Sequence, residues 1–144
     1  MSLRVKLLAD GAKAPTVAHP GEDLGYDVYA SIMLIIPPRS HSVVPTGIAI
    51  ECTSPAGEPM GALLRDKSSM AARRLVLTGG VIDAGYRGEI KVLVENLSDS
   101  PQVINPGDKI ANLIPYPVLT GEVHVVPELA HSKRKAGGFG SSGR

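Results

Sequence analysis

Prolines and glycines, twelve and sixteen of them, cut the apolar stretches of this chain into runs that are almost all too short for an amphipathic helix of ordinary length. Strands survive such interruption, because a handful of alternating residues between turn signals suffices. The expected class is therefore all-β, with strands over 3–8, 26–36, 42–51, 60–64, 75–78, 90–96, 102–104, 110–116 and 122–126. Their number and spacing suit a closed double-sheet fold. One short helix is expected over 68–74, with Ser68 or Ser69 capping its first turn and Arg73 and Arg74 at its C-terminal end. From Ser132 onward the chain turns basic and then glycine- and serine-rich without apolar periodicity, which predicts a mobile end.

A chain of 144 residues makes one domain with room for a real core. A net charge of +1 gives no global field for nucleic acid or an anionic membrane, so any anion site must be local. Cys52 is the only cysteine, which excludes an intrachain disulfide and a cysteine-based zinc site. The four histidines lack metal-ligand spacing. No apolar leader and no stretch of transmembrane length is seen, so a reducing, cytoplasmic setting is expected.

The segment Gly79 to Glu89 carries one carboxylate and one aromatic on a glycine-rich turn between two strand-like runs, and reads as a hairpin with Asp83 at its lip. Its glycines leave backbone groups open to a flat polar ligand, although Asp and Gly are also ordinary turn residues. The only phenylalanine, Phe139, stands in the basic and glycine-rich end, where stacking on a nucleobase would give it a use; the plainer alternative is a solubilising tail. Arg65 to Ala71 places Lys67, Ser68 and Ser69 at the helix start, either as an anion site or as a plain cap with surface charges. Asp27 alternates with Tyr26 and Val28 on a strand, so it lies on the face opposite them.

Gly80-Val81-Ile82-Asp83-Ala84-Gly85-Tyr86-Arg87-Gly88 resembles the uracil-binding hairpin of the trimeric dUTPase (deoxyuridine triphosphate nucleotidohydrolase) family. Four further segments resemble that family's motifs in order, from Gly25 to Ala30, Arg65 to Ala71 and Gly107 to Leu113 to the end segment Arg134 to Gly143, so the resemblance spans nearly the whole chain. It implies a jelly-roll-like β barrel over residues 1–131 and a flexible arm over 132–144 that closes over the nucleotide. The implied activity is hydrolysis of dUTP to dUMP and pyrophosphate, which limits uracil in DNA and supplies dUMP for dTMP synthesis. Asp83 would be the base that activates water; Lys67, Ser68, Ser69, Asn112, Arg134, Ser141 and Ser142 would hold the phosphates. Gly80, Val81, Ile82, Tyr86, Lys91 and Phe139 would take the uracil and deoxyribose, and Asp27 would hold Mg²⁺ through water rather than directly. The family implies a homotrimer with shared sites, and neither nucleic acid nor membrane is an expected partner. Two positions depart from the family pattern, with Lys67 in place of arginine and Asn112 in place of glutamine. The competing readings are a dCTP deaminase of the same fold, which needs a glutamate where Leu93 stands, and a non-catalytic nucleotide-sensing module.

Overall fold

Strands form where the sequence alternates, and glycines set where the chain leaves one sheet for another. In the computed structural model, which describes residues 1–143, the first half comprises β1 Ser2–Leu7, β2 Tyr26–Tyr29, β3 Leu34–Ile36, β4 His41–Pro45, β5 Ile48–Thr53 and β6 Pro59–Arg65. A short helix, α1 Ser68–Ala72, leads into β7 Leu75–Thr78, β8 Val81–Ile82, β9 Lys91–Asn96, β10 Gln102–Ile104 and β11 Lys109–Pro117. One sheet orders its strands β1-β5-β6-β11-β2, with β8 added at β6; β4-β9-β7 form a second and β10-β3 a third. Their pairings are antiparallel.

The core lies between these sheets, where Val28, Ile36, Val44, Ile48, Leu75, Ile90, Ile104, Ile110 and Leu113 are fully buried. Strand β9 shows the period-two pattern that places them: Val92 and Val94 point inward while Lys91 and Leu93 point out. Buried Asn96 directs its amide at the carbonyls of Ile36, Pro37 and Ser100, so a polar group in the core is satisfied and fastens β9 to β3.

The structure corrects four local expectations. The run 42–51 is two strands, because Gly47 turns the chain at φ 69° between β4 and β5, which belong to different sheets. The run 26–36 likewise divides into β2 and β3. The helix ends at Ala72 and is capped by Lys67 without a side-chain hydrogen bond, so neither serine is its cap, and Arg73 is the C-cap while Arg74 stands beyond it at φ 60°. The stretch 122–126 forms no strand; Val123 and Val125 are almost fully exposed, since no strand among the described residues pairs with them. No helix among the described residues is long and apolar enough to cross a membrane.

Candidate active site

The segment Gly79 to Glu89 does not fold as a two-stranded hairpin. Gly79 and Gly80, at φ 78° and 79°, carry the chain from β7 in one sheet to β8 in another. β8 pairs with β6, and β9 returns to the sheet of β7. The approach to β6 admits only glycine at 80: a Cβ there would lie 2.8 Å from the Leu64 carbonyl oxygen, and the Gly80 carbonyl accepts the Leu64 N–H at 2.7 Å. β6 is the only named strand that pairs with β8. The other edge of Val81 and Ile82 is thus open to a planar ligand, the arrangement by which an added strand would dock.

This segment borders a depression of about 450 Å³ lined by Gly79, Gly80, Val81, Ile82, Asp83, Tyr86, Glu89, Lys91 and Leu93. The Asp83 carbonyl accepts the Tyr86 N–H at 3.0 Å, which closes the turn and leaves the Asp83 carboxylate exposed at the rim. Arg87 secures the turn by donating to the carbonyls of Ala84 and Tyr86 at 2.8 and 3.0 Å.

A second depression, of about 300 Å³, has Asp27, Lys67 and Asn112 in its lining, together with His19 and Asp23. Register explains the grouping, because Asp27 on β2 stands opposite Asn112 on β11, which stands opposite Arg65 on β6, and Lys67 follows two residues later. Both Asp27 oxygens are engaged, Oδ1 by Lys67 Nζ and Oδ2 by Lys109 Nζ at 2.7 Å. Burial pushes the Asp27 carboxyl upward, but hydrogen bonds from Lys109 and Lys67 outweigh it and hold the group below the usual carboxylate range. Asp27 in turn raises Lys109. Asn112 Oδ1 is buried without a partner, and Gly25 makes room for it, since a Cβ at 25 would lie 2.6 Å away. Asp23 is also held low, chiefly by the His19 N–H.

The depressed Asp27 pKa fixes the sign of a pH effect. Its ion pairs contribute fully above the unfolded value of about 3.9, and the contribution disappears as pH falls through the lower folded value. Asp27→Asn is therefore expected to lower Tm at pH 7, by an amount equivalent to about 1.5–3 kcal/mol for hydrogen bonds to a charged group. The gap to the parent should narrow progressively in a thermal series as pH falls below about 3.9. A gap of constant size throughout that series would show that the asparagine acts by misfitting rather than by lost charge.

Of the expected site residues, the structure brings together Gly80, Val81, Ile82, Asp83, Tyr86 and Lys91 in one depression, and Asp27, Lys67 and Asn112 in the other. No residue lines both. Ser68 and Ser69 are exposed on α1 beside Lys67. The end segment joins neither depression: Arg134 donates to its own neighbour Gly137 at 2.8 Å, Ser141 and Ser142 are exposed, and Phe139 has 115% relative exposure. Arg144, the last residue of the expected arm, lies outside the described residues. Sequence reasoning gave no role to Lys109 or Glu89. Lys109 stood inside the Gly107 to Leu113 segment, but a register shift between Lys109 and Ala111 sets its position relative to Asp27, and such a bulge has no signature in this sequence.

A slot with an open strand edge, and apart from it a pocket lined by the Lys67 ammonium, are what a β barrel would need to receive a base and an anionic chain, and the molecule falls in that class. Residues 10–143 match the dUTPase family model, and the chain belongs to the dUTPase family. A deoxyuridine 5'-triphosphate nucleotidohydrolase of Gloeobacter violaceus is 42% identical, the match covering 96% of this chain and 95% of that protein. The enzyme of the same name from Clostridium tetani is 37% identical over 99% and 97% of the two chains. Among solved structures, the dUTPase of Staphylococcus bacteriophage 80alpha with dUPNHPP superimposes with a TM-score of 0.90 at 28% identity, covering 99% of each chain. A point mutant of the dUTPase from phage phi11 of S. aureus, described with a structural Mg(II) ion, gives a TM-score of 0.81 at 26% identity over 91% of this chain and all of that one.

Proposed function

We propose that this protein hydrolyses dUTP to dUMP and pyrophosphate, with the water-activating carboxylate and the phosphate pocket of each site supplied by different copies of the chain. The observation that carries this reading is the division of the machinery. One copy holds Asp83 beside the open edge of β8, and elsewhere Lys67 and Asn112 beside Asp27. A trimer in which the slot comes from one copy, the phosphate pocket from a neighbour and the end segment from the third unites them. The exposed apolar run Leu119, Val123, Val125 and Leu129 supports association, since side chains with 84–98% exposure are unusual in a segment with no partner.

In the assembled site, the backbone of Gly80 to Ile82 reads the pyrimidine edge and Tyr86 packs beneath the sugar. Asp83 orients a water toward the α-phosphorus and accepts its proton as attack proceeds. Lys67, Ser68, Ser69, Arg134, Ser141 and Ser142 hold the phosphate oxygens and offset the charge that moves onto pyrophosphate. Lysine at 67 gives a point charge without the planar fork of arginine. Asn112 reaches phosphate through a water, which suits a side chain one carbon shorter than glutamine.

No cluster of three metal-ligating side chains occurs among the described residues, so a resident ion has no cage here. The pocket lined by Asp27 and Lys67 suits a cation carried in on the triphosphate, whose water shell Asp27 would touch. Mg²⁺ bound in this way would neutralise charge on the phosphate oxygens. The buried single Cys52 accords with the reducing conditions of a cytoplasm.

Leu93 separates this reading from deamination, because it lines the slot at the position where a deaminase needs its glutamate, and its side chain has no group that can give or take a proton. The test is to incubate the protein and Mg²⁺ with each deoxynucleoside triphosphate and with UTP, measuring pyrophosphate and ammonia together. Pyrophosphate from dUTP without ammonia is expected. A donor left facing a donor costs about 1–3 kcal/mol, so kcat/KM for dCTP should be lower by roughly five- to a hundredfold from that contact alone. Ammonia release from dCTP would move the protein to the deaminase class, and tight dUTP binding without turnover would make it a sensing module.

A further inference from the structure

We propose that Gly88 and Glu89 are positioning residues that fix the ring of Tyr86, and that this brace sets discrimination against a 2'-hydroxyl. The proposal rests on the reading of Tyr86 as the surface beneath the sugar. Tyr86 is half exposed on a turn, a setting in which an aromatic ring ordinarily exchanges rotamers within nanoseconds. Two features hold it here. Its hydroxyl donates to the Glu89 carbonyl at 3.0 Å, closing a loop of four residues. Its ring also lies against Gly88 so closely that a Cβ there would sit 2.5 Å from the hydroxyl oxygen, 2.6 Å from Cζ and 3.0 Å from Cε2.

Gly88 is not a conformational glycine, for its φ is outside the left-handed region occupied by Gly79 and Gly80. Alanine is compatible with that backbone, and the three atoms its methyl would meet first all belong to the Tyr86 side chain. What glycine supplies at 88 is space for the ring.

The carbonyl from which the hydroxyl hangs is itself tied to the barrel. Glu89 Oε1 accepts the Gly47 N–H at 3.0 Å, and Gly47 occupies the junction of β4 and β5. One residue on, the Ile90 carbonyl accepts the hydroxyl of buried Thr46, and the Ile90 N–H donates to Ile48 at 2.8 Å. The peptide group that joins Glu89 to Ile90 therefore links barrel to ring, with its N–H held by Ile48 and its carbonyl holding the hydroxyl, and the Glu89 side chain adds a second tie at Gly47, while Gly88 fixes how closely the ring lies against the turn. A ring held at both points excludes a hydroxyl by a fixed surface, whereas a loose ring would yield to it.

The test compares kcat/KM for dUTP and UTP in Gly88→Ala, in Tyr86→Ala and in the double variant, and records ring signals of isotopically labelled tyrosine by NMR without nucleotide. Gly88→Ala should reduce the dUTP-to-UTP ratio about tenfold or more. It should shift the Tyr86 signals and leave those of Tyr26, Tyr29 and Tyr116 in place. In the Tyr86→Ala background the same substitution should change the ratio by less than about twofold, because its partner is gone. Should Gly88→Ala not fold, Glu89→Ala gives the second arm: it cuts the side-chain tie to Gly47, one of the two that hold the peptide from which the ring hangs, and should broaden the Tyr86 signals and lower the ratio. Unmoved Tyr86 signals, or an equal loss with and without Tyr86, would overturn the brace. A parent protein that treats dUTP and UTP alike would instead refute the sugar-surface reading, and the proposal that rests on it, while the ring signals still report whether Gly88 and Glu89 hold the ring.

Discussion

Asp83→Asn is expected to bind nucleotide as the parent does and to lose about a hundred- to ten-thousandfold in kcat, the usual weight of a general base. Asparagine matches aspartate in shape but cannot take a proton from water. The turn should survive the exchange, because it is closed by the Asp83 carbonyl, which accepts the Tyr86 N–H, and by Arg87, which donates to Ala84 and Tyr86. None of these contacts uses the Asp83 side chain. Calorimetric binding of a non-hydrolysable dUTP analogue, single-turnover hydrolysis and melting would separate the contributions. A rate near the parent's would remove Asp83 from the chemistry, and a loss confined to affinity would make it a binding group instead.

The parts of this molecule that were legible in its sequence are those fixed by local physics. The run 90–96 marked a strand, which the structure gives as β9 with Val92 and Val94 inward, and the density of glycine and proline marked the all-β class. The glycines at 79 and 80 announced a special backbone, but not that the chain would cross between sheets there, since pairing partners are set by tertiary packing and a two-residue strand has no pattern of its own. The same limit hid the pair of lysines on Asp27: Lys67 and Lys109 stand far from it in sequence, and only the register of β2 on β11 and of β11 on β6 brings them together. The alternation of 122–126 is real but unfulfilled within one copy. A period-two pattern reports that a surface can be buried, and it does not say by which chain. The separation of the two depressions was hidden for the same reason, since no sequence motif records which of its neighbours the fold keeps apart.

Removing everything after Lys133 is expected to leave assembly and melting nearly unchanged and to reduce dUTP turnover sharply. The first half of the expectation follows from burial, since Phe139 touches solvent all round and no described residue beyond 132 belongs to the core cluster. The second follows from composition: an end segment that carries the only phenylalanine, adjacent cations and a pair of serines has the groups to cover a base and hold phosphates, yet here Arg134 satisfies only Gly137. Phe139 also stands at φ 50°, an uncommon backbone state for a non-glycine residue, which agrees with a segment whose conformation is settled by what it lands on. Phe139→Ala alone should weaken turnover by about 1–3 kcal/mol, roughly five- to a hundredfold, if its ring stacks on the base. Proteolysis reports on the same event without catalysis: cleavage after Lys133, Arg134 or Lys135 should slow when a non-hydrolysable dUTP analogue and Mg²⁺ are present. Full activity in the truncated protein, or a tail cut equally fast with and without the analogue, would mean that the site closes by other residues and that Phe139 is no part of it.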